Sequence, residues 1–265
     1  MLNQLLRIDG PNALKRLFYG KRGEPYEIGG HVLRFIPGTR PTRTKYATSS
    51  NGVNRYDALQ FLYMAEHLKP GMRCLDVGAH NGQDSLIMSA LCGVDGHVTG
   101  FEPNAEAREI LWQNVALNPG VKQPKIVSAA VSDNDGRALL YAEDGASSNS
   151  SLDPAGTTKD AVGQYEVDVV SLDRWITAMP DLVKIDIEGF EIRALAGATR
   201  LLASNAVILC ELHPYAWEAL GDSAAGLKAL VAKYGRRIRY LDQTAEAGEI
   251  PHTVQGYGVT LLERV

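Results

Sequence analysis

The feature that most constrains the fold is an alternation of short apolar runs with amphipathic segments between residues 73 and 212. Strand-like runs are "RCLDV", "GHVTGFE", "KIVSAAV", "RALLY", "YEVDVV", "DLVKIDI" and "AVILCEL". Helical patterns, with apolar residues three and four apart, are "QDSLIMSALCG", "NAEAREILWQNVALN" and "EIRALAGATRLLA". Strands that alternate with helices form right-handed βαβ units. The sequence therefore predicts an α/β fold, with a doubly wound sheet and helices on both faces.

The two ends of the chain depart from this alternation. Near the start, "YEIGGHVLRFI" predicts a hairpin around Gly29 and Gly30, and residues 56–67 have helical spacing that stops at "KPG". Near the end, "RRIRYLD" and "YGVTLLERV" are strand patterns with no helical pattern between them, which predicts an antiparallel pair. We expect an N-terminal hairpin and helix extension over residues 1–55, which serves substrate binding or oligomerisation, and a main domain over residues 56–265.

Length and composition are those of an ordinary globular protein, with 265 residues, 45% hydrophobic and 22% charged. No apolar stretch approaches the roughly 18 residues that a membrane span requires, and the first residues lack the apolar region of a signal peptide. We therefore expect a cytoplasmic protein with no membrane partner. Cys74, Cys92 and Cys210 lie in apolar runs without metal-type spacing, which predicts buried thiols.

Charge is unevenly distributed along the chain. The net charge of -4 argues against nucleic acid as a partner. Residues 15–45, however, carry eight basic side chains against two acidic ones. A solvated surface is the usual reason for such a segment, and an anionic substrate or carrier is the alternative.

A long segment between two strand patterns fits no regular element. Residues 142–164, "AEDGASSNSSLDPAGTTKDAVGQ", are rich in serine, glycine and aspartate. Loops of this length inside a compact domain are usually functional lids or disordered segments. We expect this segment to be mobile without ligand and to close over a bound one.

The turn after "RCLDV" has the composition of a ligand-binding turn. Ligands of open α/β sheets bind at the carboxyl ends of the strands, where the strand order reverses. Gly78 permits a tight turn, and Gly82 allows close approach of a ligand and of the following helix. Glu102 ends the next strand, where an acidic side chain can accept hydrogen bonds from both hydroxyls of a ribose. The ligand predicted here is a nucleoside derivative.

The nature of that nucleoside depends on the middle of the turn. A dinucleotide fingerprint has a second glycine where this chain has His80, which disfavours a pyrophosphate. Asp76 suits a ligand that carries positive charge, and S-adenosylmethionine has an ammonium and a sulfonium but no phosphate. An NAD-dependent oxidoreductase, which Glu102 would also suit, and a non-catalytic nucleoside-binding module are the alternatives.

Several stretches together resemble one known family. The stretches "LDVGAHNG", "GFEPNAEAREILWQNVALN", "AAVSDNDGRALLY", "SSNSSL", "VVSLDRW", "VKIDIEGFEIRALAGA" and "ILCELH" are similar, in order and spacing, to the FkbM family of S-adenosylmethionine-dependent methyltransferases. The resemblance spans roughly residues 56–213. It implies a class I methyltransferase, Rossmann-like sheet and O-methylation of a hydroxyl on a sugar, glycan or natural product. The cofactor-binding residues predicted on this basis are Asp76, Gly78, Ala79, His80, Asn81, Gly82, Glu102, Pro103, Ala130 and Asp186.

A second polar cluster lies at the ends of two later strands. In "LVKIDIEG", strand alternation places Lys184, Asp186 and Glu188 on one face. The next strand ends in "CELH", which places Glu211 and His213 together at the same edge. Polar side chains on otherwise apolar buried strands indicate a crevice. The structural alternatives are that Lys184 only neutralises Asp186, that Glu188 serves the first turn of the next helix, and that His213 is a hydrogen-bonding core residue.

Methyl transfer to oxygen requires a base that removes the hydroxyl proton. The candidate catalytic residues are Asp186, Glu188, Glu211 and His213, and His213 has the most suitable unperturbed pKa. Alternatively, these groups hold Mg or Mn, which binds the acceptor oxygens. We favour metal-free catalysis, with no metal ligands, because one positioned base suffices. The expected acceptor is a small-molecule or carbohydrate hydroxyl, and no pattern in the sequence specifies it further.

Overall fold

The computed structural model describes residues 18–41, 55–142, 150–152, 163–241 and 258–265, with only the backbone described at residues 55–58. Within these ranges the strands are β1 (Glu24–Ile28), β2 (His31–Phe35), β3 (Arg73–Val77), β4 (His97–Phe101), β5 (Lys125–Val127), β6 (Ala129–Val131), β7 (Gly136–Ala142), β8 (Gly163–Val170), β9 (Leu182–Ile185), β10 (Val207–Leu212), β11 (Arg236–Tyr240) and β12 (Gly258–Arg264). The helices are α1 (Arg55–His67), α2 (Gln83–Cys92), α3 (Ala105–Ala116), α4 (Leu172–Trp175), α5 (Glu191–Ala196), α6 (Thr199–Ala203), α7 (Pro214–Trp217) and α8 (Ala224–Lys233), with a 3₁₀ turn at Gly20–Arg22.

A seven-stranded sheet in the order β11-β12-β10-β9-β3-β4-β5 forms the centre of the fold. Strands β3, β4, β5, β9 and β10 are parallel, and β12 runs antiparallel to both β10 and β11. The chain builds outward from β3 through β4 to β5, and then returns to the other side of β3 through β9 and β10. This confirms the predicted doubly wound sheet with an antiparallel C-terminal pair, and it places the reversal of strand order between β3 and β9.

Apolar cores cover both faces of this sheet, as strand alternation requires. In β10, Ile208 and Cys210 pack into one core, and Leu209 packs into the core on the opposite face. The first core includes Leu195 of α5, and the second includes Leu86 of α2. All three cysteine side chains are buried as free thiols, as predicted.

The N-terminal hairpin is present and packs onto the helices. Strands β1 and β2 pair antiparallel, with Leu33 and Phe35 in the same core as Phe61 of α1. The backbone N–H of Ile36 donates to Asn114 Oδ1 at 2.8 Å, which ties the hairpin to α3. The division of the chain at residue 55 stays a prediction.

Two regular elements differ from the predicted ones. The single strand expected at "KIVSAAV" is split at Ser128: β5 joins the large sheet, whereas β6 joins β8 and β7 in a separate three-stranded sheet. The single helix expected at "EIRALAGATRLLA" is broken at residues 197–198 into α5 and α6. The side chain of Asp173 accepts hydrogen bonds at 2.8 Å from the backbone N–H groups of Thr199 and Arg200, so a residue distant in sequence begins the second helix.

The long serine-rich segment is shorter than predicted at both ends. Ala142 ends β7, and residues 163–164 begin β8. Between these strands only residues 150–152 belong to the described part of the chain, where Ser151 forms an antiparallel bridge with Tyr141. The expected mobility of residues 143–149 and 153–162 concerns positions outside the described residues.

The basic N-terminal segment is only partly described. Arg40 Nε lies 2.9 Å from Glu24 Oε1, and Arg34 donates hydrogen bonds to backbone carbonyls of the 3₁₀ turn region. Lys15, Arg16, Arg43 and Lys45 lie outside the described residues. Within the described ranges, every helix is too short or too polar to cross a bilayer.

Candidate active site

A crevice opens at the carboxyl ends of β3, β4 and β9, where the strand order reverses. Its apolar walls include Phe101, Val131, Leu140 and Phe190, and its polar groups include the carboxylates of three acidic residues. Those acidic residues are Glu102, Asp186 and Glu188. Ligand pockets commonly combine apolar walls with a few placed polar groups in this way. Of the predicted cofactor residues, the crevice is lined by Gly78, His80, Glu102, Pro103, Ala130 and Asp186.

The turn between β3 and α2 forms one edge of the crevice. Gly78 has a φ of 90°, and a β-carbon there would lie 1.8 Å from the backbone oxygen of Asp186. His80 also has a positive φ, 44°, which is uncommon for a residue with a side chain. Strained backbone of this kind is concentrated at functional sites.

The remainder of the turn lies behind the crevice wall. Gly82 has a φ of 83°, and an added β-carbon would meet the Leu111 side chain of α3 at 2.7 Å. Close packing of this turn on α3 therefore requires the glycine. Ala79 and Asn81 are buried and are not among the described residues that line the crevice. Their predicted contribution to cofactor binding is thus limited to shaping the turn.

Glu102 ends β4 beside the turn and is buried. Its carboxylate accepts hydrogen bonds at 2.7 Å from the backbone N–H groups of His80 and Asn104. Burial raises the pKa of Glu102, although these hydrogen bonds act in the opposite direction. Because the carboxylate is held in one orientation at the crevice wall, it is positioned to accept hydrogen bonds from hydroxyl groups of a ligand.

The position of Asp76 corrects the expectation that its carboxylate faces a cofactor. Asp76 is fully buried beneath the turn and is not among the described residues that line the crevice. Ser85 donates a hydrogen bond of 2.6 Å to its Oδ2, and Oδ1 has no hydrogen-bond partner. Burial raises the pKa of Asp76 to about 7, against the lowering effect of Lys184. The Asp76 carboxylate therefore lies beneath the turn, where it is hydrogen-bonded to Ser85, and does not face the crevice.

Lys184 lies at the centre of this buried polar layer. Its Nζ is 3.0 Å from Asp186 Oδ2 and 3.4 Å from Asp84 Oδ2. Burial would lower the pKa of Lys184, but Asp186 and Asp84 raise it well above its usual value. The structural alternative, in which Lys184 neutralises Asp186, agrees with this geometry. Asp84 was missed in the sequence because it reads as an ordinary first-turn helix residue.

Three groups from two neighbouring strand ends meet at the opposite edge of the crevice. His213 Nε2 lies 3.7 Å from Asp186 Oδ1 and 3.6 Å from Glu188 Oε2. Asp186 and Glu188 follow β9, and His213 follows β10, so adjacent parallel strands bring them together. Glu188 has a φ of 50°, the second positive value at a side-chain-bearing residue among those described. The predicted cluster is therefore assembled, with the exception of Glu211.

Glu211 lies apart from these three groups. It is buried, and its charge raises the pKa of Lys184 rather than acting on the crevice. Tyr215 is an additional member that the sequence did not single out, since its hydroxyl donates a hydrogen bond of 2.5 Å to Glu188 Oε2.

Glu191 is the most important residue that sequence reasoning missed. It is completely buried, and His213 Nδ1 donates to its Oε1 at 2.8 Å. The same carboxylate accepts from the indole N–H of Trp217 at 3.1 Å and from the backbone N–H of Gly189 at 2.8 Å. Glu191, and not Glu188, serves the start of α5. Its spacing of three residues from Glu188 is the only hint in the sequence.

The surrounding carboxylates change the acid–base properties of His213. Burial would lower the pKa of His213, but Glu191, Glu188 and Asp186 raise it well above its usual value. These carboxylates therefore favour the protonated form of His213, and its role as the catalytic base stays a prediction. Burial raises the pKa of Glu188, whereas Lys184 and His213 outweigh burial and lower the pKa of Asp186.

The described part of the serine-rich segment lies over the crevice. Ser150, Ser151 and Leu152 line it, and Asn104 Nδ2 donates to Ser150 Oγ at 3.1 Å. Asn104 also caps α3, with its side chain accepting from the backbone N–H groups of Glu106 and Ala107. A single side chain thus connects the start of a helix at the crevice to this segment.

Comparison with known proteins gives the family. The Methyltransferase FkbM domain matches residues 76–238, more than half of the 265-residue chain. The chain belongs to the FkbM methyltransferase family. Residues 76–238 are accordingly an S-adenosylmethionine-dependent FkbM domain, and this family assignment replaces the oxidoreductase alternative. The matched range contains the turn, Glu102, the cluster at His213 and Glu191.

Individual relatives of this FkbM chain are distant. A protein named Hexuronic acid methyltransferase AglP, from Haloferax volcanii, is 28% identical over 148 residues, 52% of this chain and 54% of the relative. The match thus spans about half the length of that curated relative. A solved Methyltransferase FkbM from Methylobacillus flagellatus KT has a TM-score of 0.48 and 17% identity, over 75% of this chain and 49% of that one. A precorrin-6y C5,15-methyltransferase from Geobacter metallireducens GS-15 has a TM-score of 0.48 and 14% identity, over 83% and 95%.

The crevice of the FkbM chain has the chemical features that S-adenosylmethionine requires. Phe101, Val131 and Leu140 offer apolar surface to a base, and Glu102 offers hydrogen-bond acceptors to hydroxyls. The carboxylates of Asp186 and Glu188 provide negative charge at the same crevice, which suits a cationic ligand. The residues present therefore fit the cofactor.

Proposed function

We propose that this chain transfers a methyl group from S-adenosylmethionine to a hydroxyl of a sugar, with hexuronic acids as the acceptor class. The observation that carries the proposal is that Asp186 and Glu188 line the same crevice as Glu102. A nucleoside-binding acid and two candidate proton acceptors are therefore within one cavity. The acceptor class is supported by the name of the Haloferax relative, which is 28% identical.

The chemistry requires a positioned hydroxyl that loses its proton. When bound, S-adenosylmethionine supplies an electrophilic methyl group attached to a sulfonium. An alcohol becomes a sufficient nucleophile only if a base within hydrogen-bond reach takes its proton during attack. Asp186 and Glu188 expose 27% and 18% of their side chains, so both carboxylates are reachable from the crevice. Because its pKa is raised whereas that of Asp186 is lowered, Glu188 is the stronger base of the two and is the one that accepts the hydroxyl hydrogen bond and then the proton.

His213 and Tyr215 position these carboxylates. The imidazole faces both of them, and the Tyr215 hydroxyl donates to Glu188. Glu191 in turn fixes the imidazole through Nδ1. A base held in a single orientation places its lone pair near the acceptor oxygen without a further loss of entropy on binding.

Methyl transfer is tested with the purified full chain, S-adenosylmethionine and a panel of sugars. The panel contains glucuronic and galacturonic acids and their methyl glycosides, with glucose and galactose as neutral counterparts. Mass spectrometry is expected to show one added methyl group on a uronic acid sugar. Glu188→Gln should lower turnover by about 10² to 10⁴ fold, whereas Glu218→Gln, an exposed control, should not change it.

A non-catalytic nucleoside-binding module gives a different result in the same experiment. Such a chain binds S-adenosylhomocysteine in calorimetry but yields no methylated product with any sugar of the panel. Binding without product would overturn the proposed activity. Methylation of the neutral sugars alone would overturn the acceptor class and leave sugar methylation in place.

A further inference from the structure

We infer that Asp186, Glu188 and His213 hold a divalent cation of the Mg²⁺ or Mn²⁺ class. Sequence reasoning favoured catalysis without metal, and the geometry of the cluster favours the alternative. Among the described residues, this cluster brings together histidine and carboxylate ligand atoms, all within 4.8 Å of one another. The inference rests on the proposed function only for what the ion does, not for whether it binds.

The distances within the cluster suit a shared ion. His213 Nε2 lies 3.7 Å from Asp186 Oδ1 and 3.6 Å from Glu188 Oε2. These separations exceed the usual range of charged hydrogen bonds, about 2.7 to 2.9 Å. Donor atoms about 2.1 Å from an octahedral ion lie about 3 Å apart at right angles. A small contraction of the three side chains would therefore enclose an ion.

His213 is oriented as metal-binding histidines usually are, with one ring nitrogen hydrogen-bonded to a carboxylate and the other left to face the site. Its Nδ1 donates to Glu191, so Nε2 is the nitrogen that faces the two carboxylates. Metal-binding histidines almost always donate their other ring N–H to a carboxylate or carbonyl group. Glu191 is itself held by Trp217 and by the backbone of Gly189. Trp217 and Gly189 thus hold Glu191, and Glu191 holds the His213 ring that faces the two carboxylates.

The charge of the region calls for a cation. Four acidic side chains, those of Asp84, Asp186, Glu188 and Glu191, surround the buried amine of Lys184 and the imidazole of His213. Buried charges are stable only when they are paired or coordinate a metal. The acidic side chains here outnumber the two basic ones. A divalent ion between Asp186 and Glu188 would provide a partner for the negative charge that they carry.

The backbone at Glu188 provides an independent observation. Its φ of 50° is unfavourable for a residue with a β-carbon. The following Gly189 has a φ of 109°, and a β-carbon there would meet Ala216 at 2.4 Å. The chain thus leaves β9 along a constrained path that aims Glu188 at the crevice.

The donor set points to the class of ion. Carboxylates suit Mg²⁺ and Mn²⁺, and a single imidazole is compatible with Mn²⁺. Such ions keep several coordination positions for water or substrate oxygens. A hexuronate is an anion, which Asp186 and Glu188 by themselves would repel. An ion between them would instead attract the acceptor's carboxylate and hydroxyl oxygens and lower the pKa of the bound hydroxyl. The proton would pass to the oxygen of Glu188 that does not bind the ion.

The binding test uses the full chain, stripped with EDTA and then dialysed against buffer. Mn²⁺ is added, and free Mn²⁺ is followed by electron paramagnetic resonance. Saturable binding at one site is expected. His213→Ala should weaken it by at least about tenfold, and Glu191→Gln by about 10 to 100 fold. His97→Ala, which changes an exposed histidine at the amino end of β4, opposite the crevice end of that strand, should bind as the wild type does.

Folding of each variant is checked by circular dichroism and by its thermal unfolding midpoint relative to the wild type. Equal Mn²⁺ affinity in wild type and in a folded His213→Ala variant would overturn the metal site. Mn²⁺ binding without methylation of any sugar would support the site and overturn the proposed function. Methylation of a uronic acid at the full rate in EDTA would support the proposed function and overturn the role of the ion.

Discussion

A β-carbon added to Gly78 would lie 1.8 Å from the backbone oxygen of Asp186. The backbone N–H of Asp186 also donates to Val77 at 2.9 Å, so the ends of β3 and β9 are in direct contact. The turn after β3 and the cluster at Asp186 and His213 therefore share one backbone junction. A shift of the backbone at Gly78 would therefore move the backbone at Asp186, and the reverse.

Gly78→Ala should destabilise the chain by about 3 kcal/mol or more, because the new methyl group collides with backbone and φ is positive. Gly93→Ala is the matched control: its φ is 66°, but no atom lies within 4 Å of an added β-carbon. Its cost should be smaller than that of Gly78→Ala, because only the backbone conformation, with φ 66° and ψ -167°, opposes the substitution. Urea unfolding of both variants measures the difference, and equal losses would contradict the contact.

Glu102→Ala should weaken binding of S-adenosylhomocysteine, because charge-assisted hydrogen bonds to the ribose are lost. Each such bond contributes about 1.5 to 3 kcal/mol, which corresponds to at least about tenfold in affinity. Glu109→Ala removes an exposed acid from α3 and should leave affinity unchanged. Isothermal calorimetry measures both, and the placement of the ribose would be wrong if the Glu102 variant bound as tightly as the wild type.

Asp76→Asn should alter how stability depends on pH. The folded pKa of Asp76, about 7, lies above the unfolded value of about 4. The stability that this group contributes is thus fully present below pH 4 and is lost as the pH rises through 7. The asparagine variant does not ionise, so its stability relative to wild type should increase by an amount on the order of 4 kcal/mol from pH 4 to 7, of which about 3 kcal/mol falls between pH 5 and 8.

This pH dependence is measured by chemical denaturation of both proteins at pH 5 and pH 8. Asp95→Asn, at an exposed site, controls for the loss of a surface charge. A stability difference between the Asp76 variant and wild type that stays constant from pH 5 to 8 would show that Asp76 is ionised throughout.

Binding of S-adenosylhomocysteine should slow hydrogen exchange at the described part of the serine-rich segment. Ser151 N–H donates to the Tyr141 carbonyl at 2.9 Å, and its neighbours line the crevice. A ligand in the crevice should hold this bridge closed more of the time. The amide of Ile238 serves as the reference, because β11 is an edge strand of the large sheet, separated from β3 by three strands. Equal exchange at Ser151 with and without ligand would argue against a lid.

Local patterns were sufficient for much of this fold. The period of apolar residues predicted the order of β3, α2, β4 and α3, because that period depends only on which face of each element is buried. Gly29 and Gly30 predicted the hairpin for an equally local reason, since two glycines permit the tight turn between its strands. The glycine turn after β3 and Glu102 at the end of β4 were likewise predicted from short stretches of sequence.

Errors arose where a distant group decided the local structure. The helix predicted from residue 191 onward is interrupted because Asp173 caps a second helix at Thr199. Strands β5 and β6 are separate because β6 pairs with β8, about forty positions later. Neither partner is visible within a window of a few residues, which is all that periodicity uses.

The sequence by itself determined the family, the alternation of strands and helices around the crevice and the acidic residues at the ends of its strands, because these follow from short segments and their spacing. Only the tertiary structure decided the order of the strands and how those residues are placed and paired. It buried Asp76 beneath the turn, placed Glu191 against His213, and surrounded that imidazole with carboxylates that raise its pKa. Burial and long-range charge set the protonation of a side chain, and both depend on which strands lie next to one another in space.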